Sequence, residues 1–129
     1  MRLLCDEDIG TGVPEALHLV DYNAISLFKQ GWAGKDDVYW LAKAGELKWL
    51  VFSCNKRMLL AKNERDTIIS KKVGIIFLTS GEEHPPKVLK LLLTKWEKLI
   101  EIDKNTTRPF ALFLSPNGRF SSKYRKYKL

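Results

Sequence analysis

The strongest constraint on the fold is the alternation of short apolar segments with stretches of helical pattern. Each apolar segment is bounded by turn-forming or polar residues and has the length of a buried strand. The predicted strands are residues 1–5, 23–28, 49–53, 73–78 and 110–114. Because helical stretches and short connections separate the first five strands, the order predicts a three-layer α/β/α sandwich with a mainly parallel central sheet.

The helical stretches are marked by apolar residues at spacings of three and four and by turn or capping residues at their ends. The predicted helices run from about 12 to 21, from 38 to a stop at Gly45, from 55 to about 71, and from 87 to about 102. After the last core strand, Ser115–Gly118 reads as a hairpin turn that leads to a short return strand at 119–121. The length of 129 residues fits a single domain, 1–129.

The charge of the chain is unevenly distributed. The 22 basic residues exceed the 15 acidic ones, giving a net charge of +7, and no acid follows Asp103. Seven basic residues do follow it, so the excess lies at the end of the chain, largely in a basic tail at about 119–129. Such a tail suits a polyanion such as nucleic acid, although a purely solubilising role is the competing interpretation.

No apolar run approaches the roughly 20 residues of a membrane span. The first residues form a predicted strand ending in acids, which is unlike a secretory signal. We therefore expect a cytoplasmic protein without membrane contact. The two cysteines, Cys5 and Cys54, are too few for a disulfide framework and are interpreted as buried reduced thiols.

Three acids follow the first predicted strand at once: Asp6, Glu7 and Asp8. A carboxylate beside a core strand is costly to desolvate unless a positive or hydrogen-bonding group meets it. Open α/β sheets bind their ligands at the carboxyl ends of the strands. These acids are therefore the first part of a predicted acidic site.

Two further polar clusters, Asp36-Asp37 and Ser53-Cys54-Asn55, stand at a helix start and a strand end. In a doubly wound sheet such positions converge on one edge. Carboxylates gathered there repel each other, and Mg²⁺ or Mn²⁺ would relieve that repulsion because these ions prefer oxygen ligands. Such an ion could position a water molecule and offset charge on a phosphodiester transition state.

Each of these residues also has a structural interpretation. Asp36 is a good helix N-cap, which leaves Asp37 as the better ligand candidate. Asn55 could equally cap the helix that follows it. Glu64 could reach the same edge of the sheet or pair with a nearby lysine. His18 and His84 have no partners in the pattern and are not expected to be ligands.

Two other families place acids after a first strand. Haloacid dehalogenase-like phosphatases use Asp-x-Asp-x-Thr/Val, and Asp6-Glu7-Asp8-Ile9-Gly10 matches the acids but has glycine at the last position. Receiver domains need an aspartate at the end of the third strand, where this chain has Cys54-Asn55. The receiver interpretation fails, and the phosphatase stays a distant alternative.

The blocks in their order resemble the PIN-like domains of the VapC-type toxin superfamily, in particular a small branch with an N-terminal Leu-x-Asp-Glu-x motif. Four segments carry the resemblance. They are Leu4-Cys5-Asp6-Glu7-Asp8, Gly34-Lys35-Asp36-Asp37 with Trp40-Leu41, Ser53-Cys54-Asn55-Lys56-Arg57, and Arg108-Pro109-Phe110 leading to Gly118-Arg119-Phe120. The resemblance covers nearly the whole chain.

The resemblance implies a metal-dependent endoribonuclease that is the toxin of a toxin–antitoxin pair. Its partners would be RNA, a small antitoxin protein and a second copy in a homodimer. Asp6, Asp37, Glu7 and Asp8 would hold Mg²⁺ or Mn²⁺, and Asn55 and Glu64 would complete the catalytic set. The RNA phosphates would meet basic side chains, namely Lys56, Arg57, Arg119, Lys123, Arg125 and Lys126.

One departure from the family pattern bears on activity. Asn55 stands where the third family acid belongs, so it keeps an oxygen ligand but loses a charge. We expect weaker metal binding unless Glu64, Asp8 or Glu7 compensates. The competing hypothesis is a catalytically degenerate PIN-like module that binds nucleic acid without cleaving it.

Overall fold

The computed structural model describes residues 1–81 and 84–129, and in these ranges the strands form a single sheet. The strands are β1 (Leu3–Cys5), β2 (Ala24–Ser26), β3 (Leu50–Ser53), β4 (Gly74–Leu78), β5 (Phe110–Leu114) and β6 (Phe120–Ser121). The helices are α1 (Gly12–Leu19), α2 (Leu27–Gln30), α3 (Asp37–Leu47), α4 (Lys62–Ser70) and α5 (Pro85–Asn105). Two 3-10 turns, Glu7–Ile9 and Lys56–Leu59, follow β1 and β3.

The strand order is β2-β1-β3-β4-β5-β6, with parallel pairing everywhere except between β5 and β6. The predicted mainly parallel α/β sandwich and its C-terminal hairpin are therefore confirmed. The chain steps from β1 outward to β2 and then returns to the other side of β1 to place β3. Such a reversal opens a crevice at the carboxyl ends of the two strands that flank it, here β1 and β3.

Each face of the sheet carries its own apolar core. On one face α1 and α5 cover sheet side chains that include Leu3 and Phe52, and Trp96 of α5 is part of this core. On the other face α3 and α4 cover Leu4 and Val51 of the sheet, and Trp40 of α3 is part of this second core. Alternate residues of β1 and β3 thus enter opposite cores, which explains why these strands are continuous apolar runs. In the described ranges no helix is both long enough and apolar enough to cross a lipid bilayer.

The structure corrects three predicted boundaries. The strand predicted at 23–28 ends at Ser26, because the Ser26 hydroxyl accepts a hydrogen bond from the Lys29 amide at 3.0 Å and starts α2. The predicted stop at Gly45 is wrong, and α3 continues to Leu47 before Lys48 takes a left-handed conformation. Gly45 is needed for packing instead, because a β-carbon there would collide with the Lys71 carbonyl oxygen.

The third correction concerns the helix predicted from 55 to about 71. It is divided into the 3-10 turn Lys56–Leu59 and helix α4, which starts only at Lys62. Beyond these three corrections, the sequence also predicts a loop from Thr79 to Pro86, and α5 starts inside that range, at Pro85. Glu82 and Glu83 of the predicted loop lie outside the described residues.

Candidate active site

The candidate site lies at the crevice between the carboxyl ends of β1 and β3. Asp6 directly follows β1, and Ser53 is the last residue of its neighbour β3. The Asp6 amide donates to the Phe52 carbonyl at 2.9 Å, which continues the pairing of the two strands into the site. The first acid is therefore positioned by the sheet itself rather than by a loop.

Asp6 is a buried carboxylate with a partner on each oxygen. Its Oδ1 accepts from the Glu7 amide at 2.7 Å, and its Oδ2 accepts from the Ser53 hydroxyl at 2.8 Å. Only 7% of the residue is exposed. Burial, followed by the negative charge of Asp8, raises the pKa of Asp6 to about 7, although both hydrogen bonds oppose the shift.

Asp8 faces the same crevice from the 3-10 turn after β1. Its Oδ2 accepts from the Cys54 amide at 3.1 Å and lies 3.4 Å from the Ser53 hydroxyl. Burial is the largest cause that raises the pKa of Asp8, and the Cys54 and Ser53 hydrogen bonds work against it. Asp8 is thus also hydrogen-bonded to the end of β3, although it is more exposed than Asp6.

Asp37 enters the site from the first turn of α3. The Trp40 indole nitrogen donates to Asp37 Oδ1 at 3.1 Å and fixes the direction of the carboxylate. Burial raises the pKa of Asp37, and the negative charges of Glu64 and Glu7 raise it further. The loop before α3 is held in place by the Gly34 amide, which donates to Glu7 Oε1 at 2.9 Å.

These acids line one open cavity of about 620 Å³. Its described walls are Asp6, Glu7, Asp8, Gly34, Lys35, Asp37, Cys54, Asn55, Arg57 and Gly81. The two acids expected to share a pocket, Asp6 and Asp37, therefore do so. The cavity is lined by acids and also by the basic residues Lys35 and Arg57, so it presents both negative and positive charges to a ligand.

The remaining predicted acidic-site residues differ in position. Asn55 lines the cavity, and although it occupies the N-cap position of the 3-10 turn, its side chain accepts no capping bond. Asp36 likewise occupies the N-cap of α3 without a side-chain capping bond. Glu64 is not part of the cavity wall, but its charge acts on Asp37, and it forms no ion pair within the described ranges.

Lys56 is directed into the protein rather than toward solvent. Its ammonium group lies 3.1 to 3.4 Å from the carbonyl oxygens of Cys54, Leu78 and Thr79. It also lies over the Tyr124 ring, 5.6 Å from the centroid. Burial lowers the pKa of Lys56. The amine thus joins the ends of β3 and β4 to the C-terminal segment.

The basic C-terminal segment is attached to the body of the protein. Tyr124, Tyr127 and Leu129 pack against the core under α3 and α4, and Arg65 donates to the Lys128 carbonyl at 2.9 Å. The predicted RNA-binding residues of this segment are exposed and lie outside the acidic cavity; they are Arg119, Lys123, Arg125 and Lys126. Arg125 comes closest to the site, since it stacks on the same Tyr124 ring as Lys56.

Neither cysteine has the chemistry of a nucleophile. Burial, followed by the charge of Asp8, raises the pKa of Cys54 to about 12. Cys5 is completely buried, and its pKa is raised for the same main reason. Both thiols are therefore neutral near pH 7, in agreement with the sequence interpretation.

Sequence reasoning gave too little weight to Ser53. It was noted only as part of a polar cluster, yet its buried hydroxyl contacts both Asp6 and Asp8 and accepts from the Asn55 amide at 2.9 Å. A polar residue at the last position of an apolar strand, opposite an acid on the neighbouring strand, is the signal that identifies it. Lys35 carried no comparable signal because only the folded loop brings it to the cavity.

The donor set of the cavity consists of oxygen atoms, which Mg²⁺ and Mn²⁺ prefer over softer ligands. Among the residues that the structure describes, no three acidic, histidine or cysteine side chains lie together in a group that could hold a metal ion. Mg²⁺ in proteins is commonly held by one or two carboxylates, with water and substrate phosphates filling its other positions. Two of the cavity acids, such as Asp6 and Asp37, would suffice for an ion held in that way.

Comparison with known proteins gave one match. The family model described as a PIN-like domain matches residues 1–80, which is more than half of the chain and includes every acid of the cavity. Searches among curated proteins and among solved structures found no match. By its sequence over these residues, and with a sheet and crevice in agreement, the chain belongs to the PIN-like domain family.

Proposed function

We propose that the protein is a metal-dependent endoribonuclease that hydrolyses RNA phosphodiesters at the acidic cavity. PIN-like domains are generally nucleases, so membership in the family supports this class of reaction. The observation that carries the proposal is the grouping of Asp6, Asp8 and Asp37 in one cavity at the point where the strand order reverses. Burial raises the pKa of all three carboxyls, and neighbouring negative charges raise each of them further.

Raised pKa values mean that the protein alone does not stabilise these carboxylates in the charged state. A divalent cation would do so, and the carboxylates would in return supply its ligands. Asp6 and Asp37 would anchor the ion, with Asp8 beside them in the cavity. The donors to these acids, namely Ser53, the Cys54 amide and Trp40, would fix the directions of the carboxylates. When bound, Mg²⁺ or Mn²⁺ would supply an activated water and offset the charge of the reacting phosphate.

The residues of the chain have separate tasks in this proposal. Arg57 and Lys35 line the cavity and would attract the phosphates on either side of the acids. Glu7 holds the loop that carries Lys35 and leads to Asp37, because one of its carboxylate oxygens accepts a hydrogen bond from the Gly34 amide. We assign Glu7 this positioning task and place it at most at the edge of the ion site.

Asn55 supports a second candidate function. The side chain lines the cavity, where an acid would strengthen the hold on a cation, and asparagine brings no charge. A PIN-like module that binds RNA but does not cleave it would explain this residue. Glu64 supports the enzyme instead, since its charge already acts on Asp37.

One experiment separates the two candidates. Purified protein is incubated with labelled RNA and Mn²⁺, with and without a chelator. Fragments that disappear with the chelator identify the enzyme, whereas retention of intact RNA identifies the binding module. Turnover of a small phosphomonoester in the same buffer would instead revive the phosphatase interpretation.

We further propose that the protein is the toxin of a toxin–antitoxin pair of the VapC type. The support is the order of motifs in the chain, which includes the Leu-x-Asp-Glu start at Leu4. Expression should then arrest growth, and a small protein encoded beside this one should restore it. Growth that is unaffected by wild-type expression would contradict the toxin role without affecting the nuclease.

A homodimer is part of the same proposal. The edge strand β2 is flanked by large apolar side chains that are unusually exposed, with Leu19 at 76% and Phe28 at 71%. A second copy would cover them. Light scattering should give twice the mass of the chain, and Phe28→Asp should reduce the mass to that of one copy.

A further inference from the structure

A groove lined by lysines lies between α5 and the hairpin that joins β5 to β6. Its volume is about 530 Å³. Lys87, Lys90 and Lys95 line it from the helix, and the turn residues Pro116–Gly118 line it from the hairpin. Its lining also includes the apolar side chains Val88 and Leu91. The groove therefore offers three cations beside an apolar surface.

Among the described residues, the groove and the acidic cavity are linked by a shared wall. A third cavity, of about 280 Å³, lies between them. It shares Asp8 and Cys54 with the acidic cavity, and it shares Leu78 and Val88 with the groove. A ligand that extends from the acids along these shared residues would reach the lysines.

The lysines on this wall have no acidic neighbour on their own helix. The first acid after Pro85 on α5 is Glu97, which lies beyond the groove. None of the three lysines forms an ion pair within the described ranges. Among the described residues, therefore, no acid pairs with this wall, and its lysines offer positive charge to an anionic ligand.

Lys95 is held in a fixed position by the hairpin. A β-carbon built on Gly118 would lie 2.6 Å from Lys95 Cε, so the lysine stem occupies the space that a larger residue would need. Gly118 has a φ of 87°, which favours glycine, and its amide donates to the Ser115 carbonyl at 2.9 Å. The Lys95 side chain thus runs closely along the hairpin turn at this end of the groove.

We propose that this groove binds the backbone of single-stranded RNA on one side of the phosphodiester at the acids. The regular phosphates would meet the three lysines, and the sugars and bases would meet the apolar surface, the arrangement that single-strand channels use. The proposal rests on the proposed function, because it takes the RNA bound at the acidic cavity as the ligand that continues. It adds a second contact region that the basic C-terminal segment does not provide.

The test compares RNA binding by two variants, measured as fluorescence anisotropy in a chelator so that no RNA is cleaved. The groove variant carries Lys87→Ala, Lys90→Ala and Lys95→Ala. Loss of about three phosphate contacts should weaken binding of an RNA of about 20 nucleotides roughly tenfold and lower the salt-dependence slope by about 2. A tetranucleotide, which is too short to reach from the acids through the groove, should lose much less.

The control variant removes the same charge elsewhere, with Lys62→Ala, Lys98→Ala and Lys104→Ala. These lysines are exposed and lie outside the groove, so its binding should stay within about twofold of wild type. Equal affinities and equal salt slopes for the groove and control variants would overturn the proposal. If the groove variant still binds RNA like wild type but no longer binds polyglutamate, the ligand of the groove is an acidic peptide and the RNA proposal is overturned.

A second groove variant guards against misfolding, because Lys95 is half-buried. Lys87 and Lys90 are exposed, so changing these two alone should leave the melting temperature unchanged and weaken binding of the long RNA about fivefold. Cleavage in Mn²⁺ is recorded separately. Cleavage with no groove effect would contradict this inference alone, whereas a groove effect without cleavage would contradict only the proposed enzyme.

Discussion

The Ser53 hydroxyl lies 2.8 Å from Asp6 Oδ2, inside the protein and at the adjacent ends of β3 and β1. Ser53 is completely buried, and its oxygen also accepts the Asn55 amide. One hydroxyl therefore orients the most buried acid of the site and starts the turn that carries Asn55 and Arg57. Burial disfavours the charged form of Asp6 and raises its pKa, and the Ser53 hydrogen bond partly offsets this shift.

Ser53→Ala should destabilise the protein by about 1–3 kcal/mol, since it leaves Oδ2 of the buried Asp6 carboxylate and the Asn55 amide without a partner. Urea unfolding measures the effect. The matched control is Ser121→Ala, whose exposed hydroxyl donates only to the Lys123 carbonyl. The control should change stability by less than about 0.5 kcal/mol. Equal effects of the two changes would show that the Ser53 bond is unimportant.

The raised pKa of Asp6 predicts a pH-dependent stability in the absence of divalent ions. The folded-state pKa of about 7 exceeds the usual value of 3.8, so folding binds a proton between these pH values. The contribution of Asp6 to stability should therefore be fully present below about pH 4 and be lost as the pH rises to about 7. Asp6→Asn removes this titration and should be more stable than wild type at pH 8 by about 2–4 kcal/mol.

The difference between Asp6→Asn and wild type should shrink toward zero as the pH is lowered to about 4. Chemical unfolding across this pH range measures it, with Asp21→Asn as a control because Asp21 is exposed and lies outside the cavity. A constant difference across the range would contradict the account of Asp6 as a carboxylate destabilised by burial.

Asn55→Asp should increase affinity for Mn²⁺. The side chain lines the acidic cavity, and aspartate has nearly the same shape while adding one negative charge. We expect an increase of about tenfold, equivalent to roughly 1.4 kcal/mol, together with lower stability of the metal-free protein. Calorimetric titration measures the affinity. Asn105→Asp, at the far end of α5, is the control, and an equal gain there would point to net charge instead of the site.

Lys56 and Arg57 are adjacent in sequence but should behave differently. Lys56→Met leaves the carbonyl oxygens around its ammonium without a donor and should cost about 1–3 kcal/mol of stability. Arg57→Ala changes an exposed residue of the cavity wall, so it should weaken RNA binding with a stability change under about 0.5 kcal/mol. Thermal melts and anisotropy measure the two effects, and the reverse assignment would contradict the structure.

Sequence patterns predicted the architecture because the strands are buried on both faces. Such strands are short continuous apolar runs, and the helical stretches between them require parallel pairing. Patterns failed where a tertiary contact decided the outcome. The pattern predicted a helix end at Gly45, but this residue lies inside α3. Glycine is needed there because Lys71, at the end of α4, leaves no room for a β-carbon.

The positions of the site residues could likewise be predicted from topology, but the side-chain contacts that depend on the folded chain could not. Topology alone explains why Asp6 and Asn55 meet at one edge, because each follows one of two neighbouring strands. The direction of a long side chain is not encoded in this way. Lys56 was predicted to contact RNA from its position in the motif, whereas its ammonium is directed at backbone carbonyls that only the folded chain brings together.

The most direct test of the central claim is cleavage of a labelled RNA by the wild-type protein and by Asp37→Asn, each in Mn²⁺ with and without a chelator. Asp37 is suited to this test because it is the partly exposed acid of the cavity, so its change should leave the fold intact. The account predicts fragments only from the wild-type protein and only without the chelator. Fragments that persist in the chelator, or an Asp37→Asn protein as active as wild type, would contradict it.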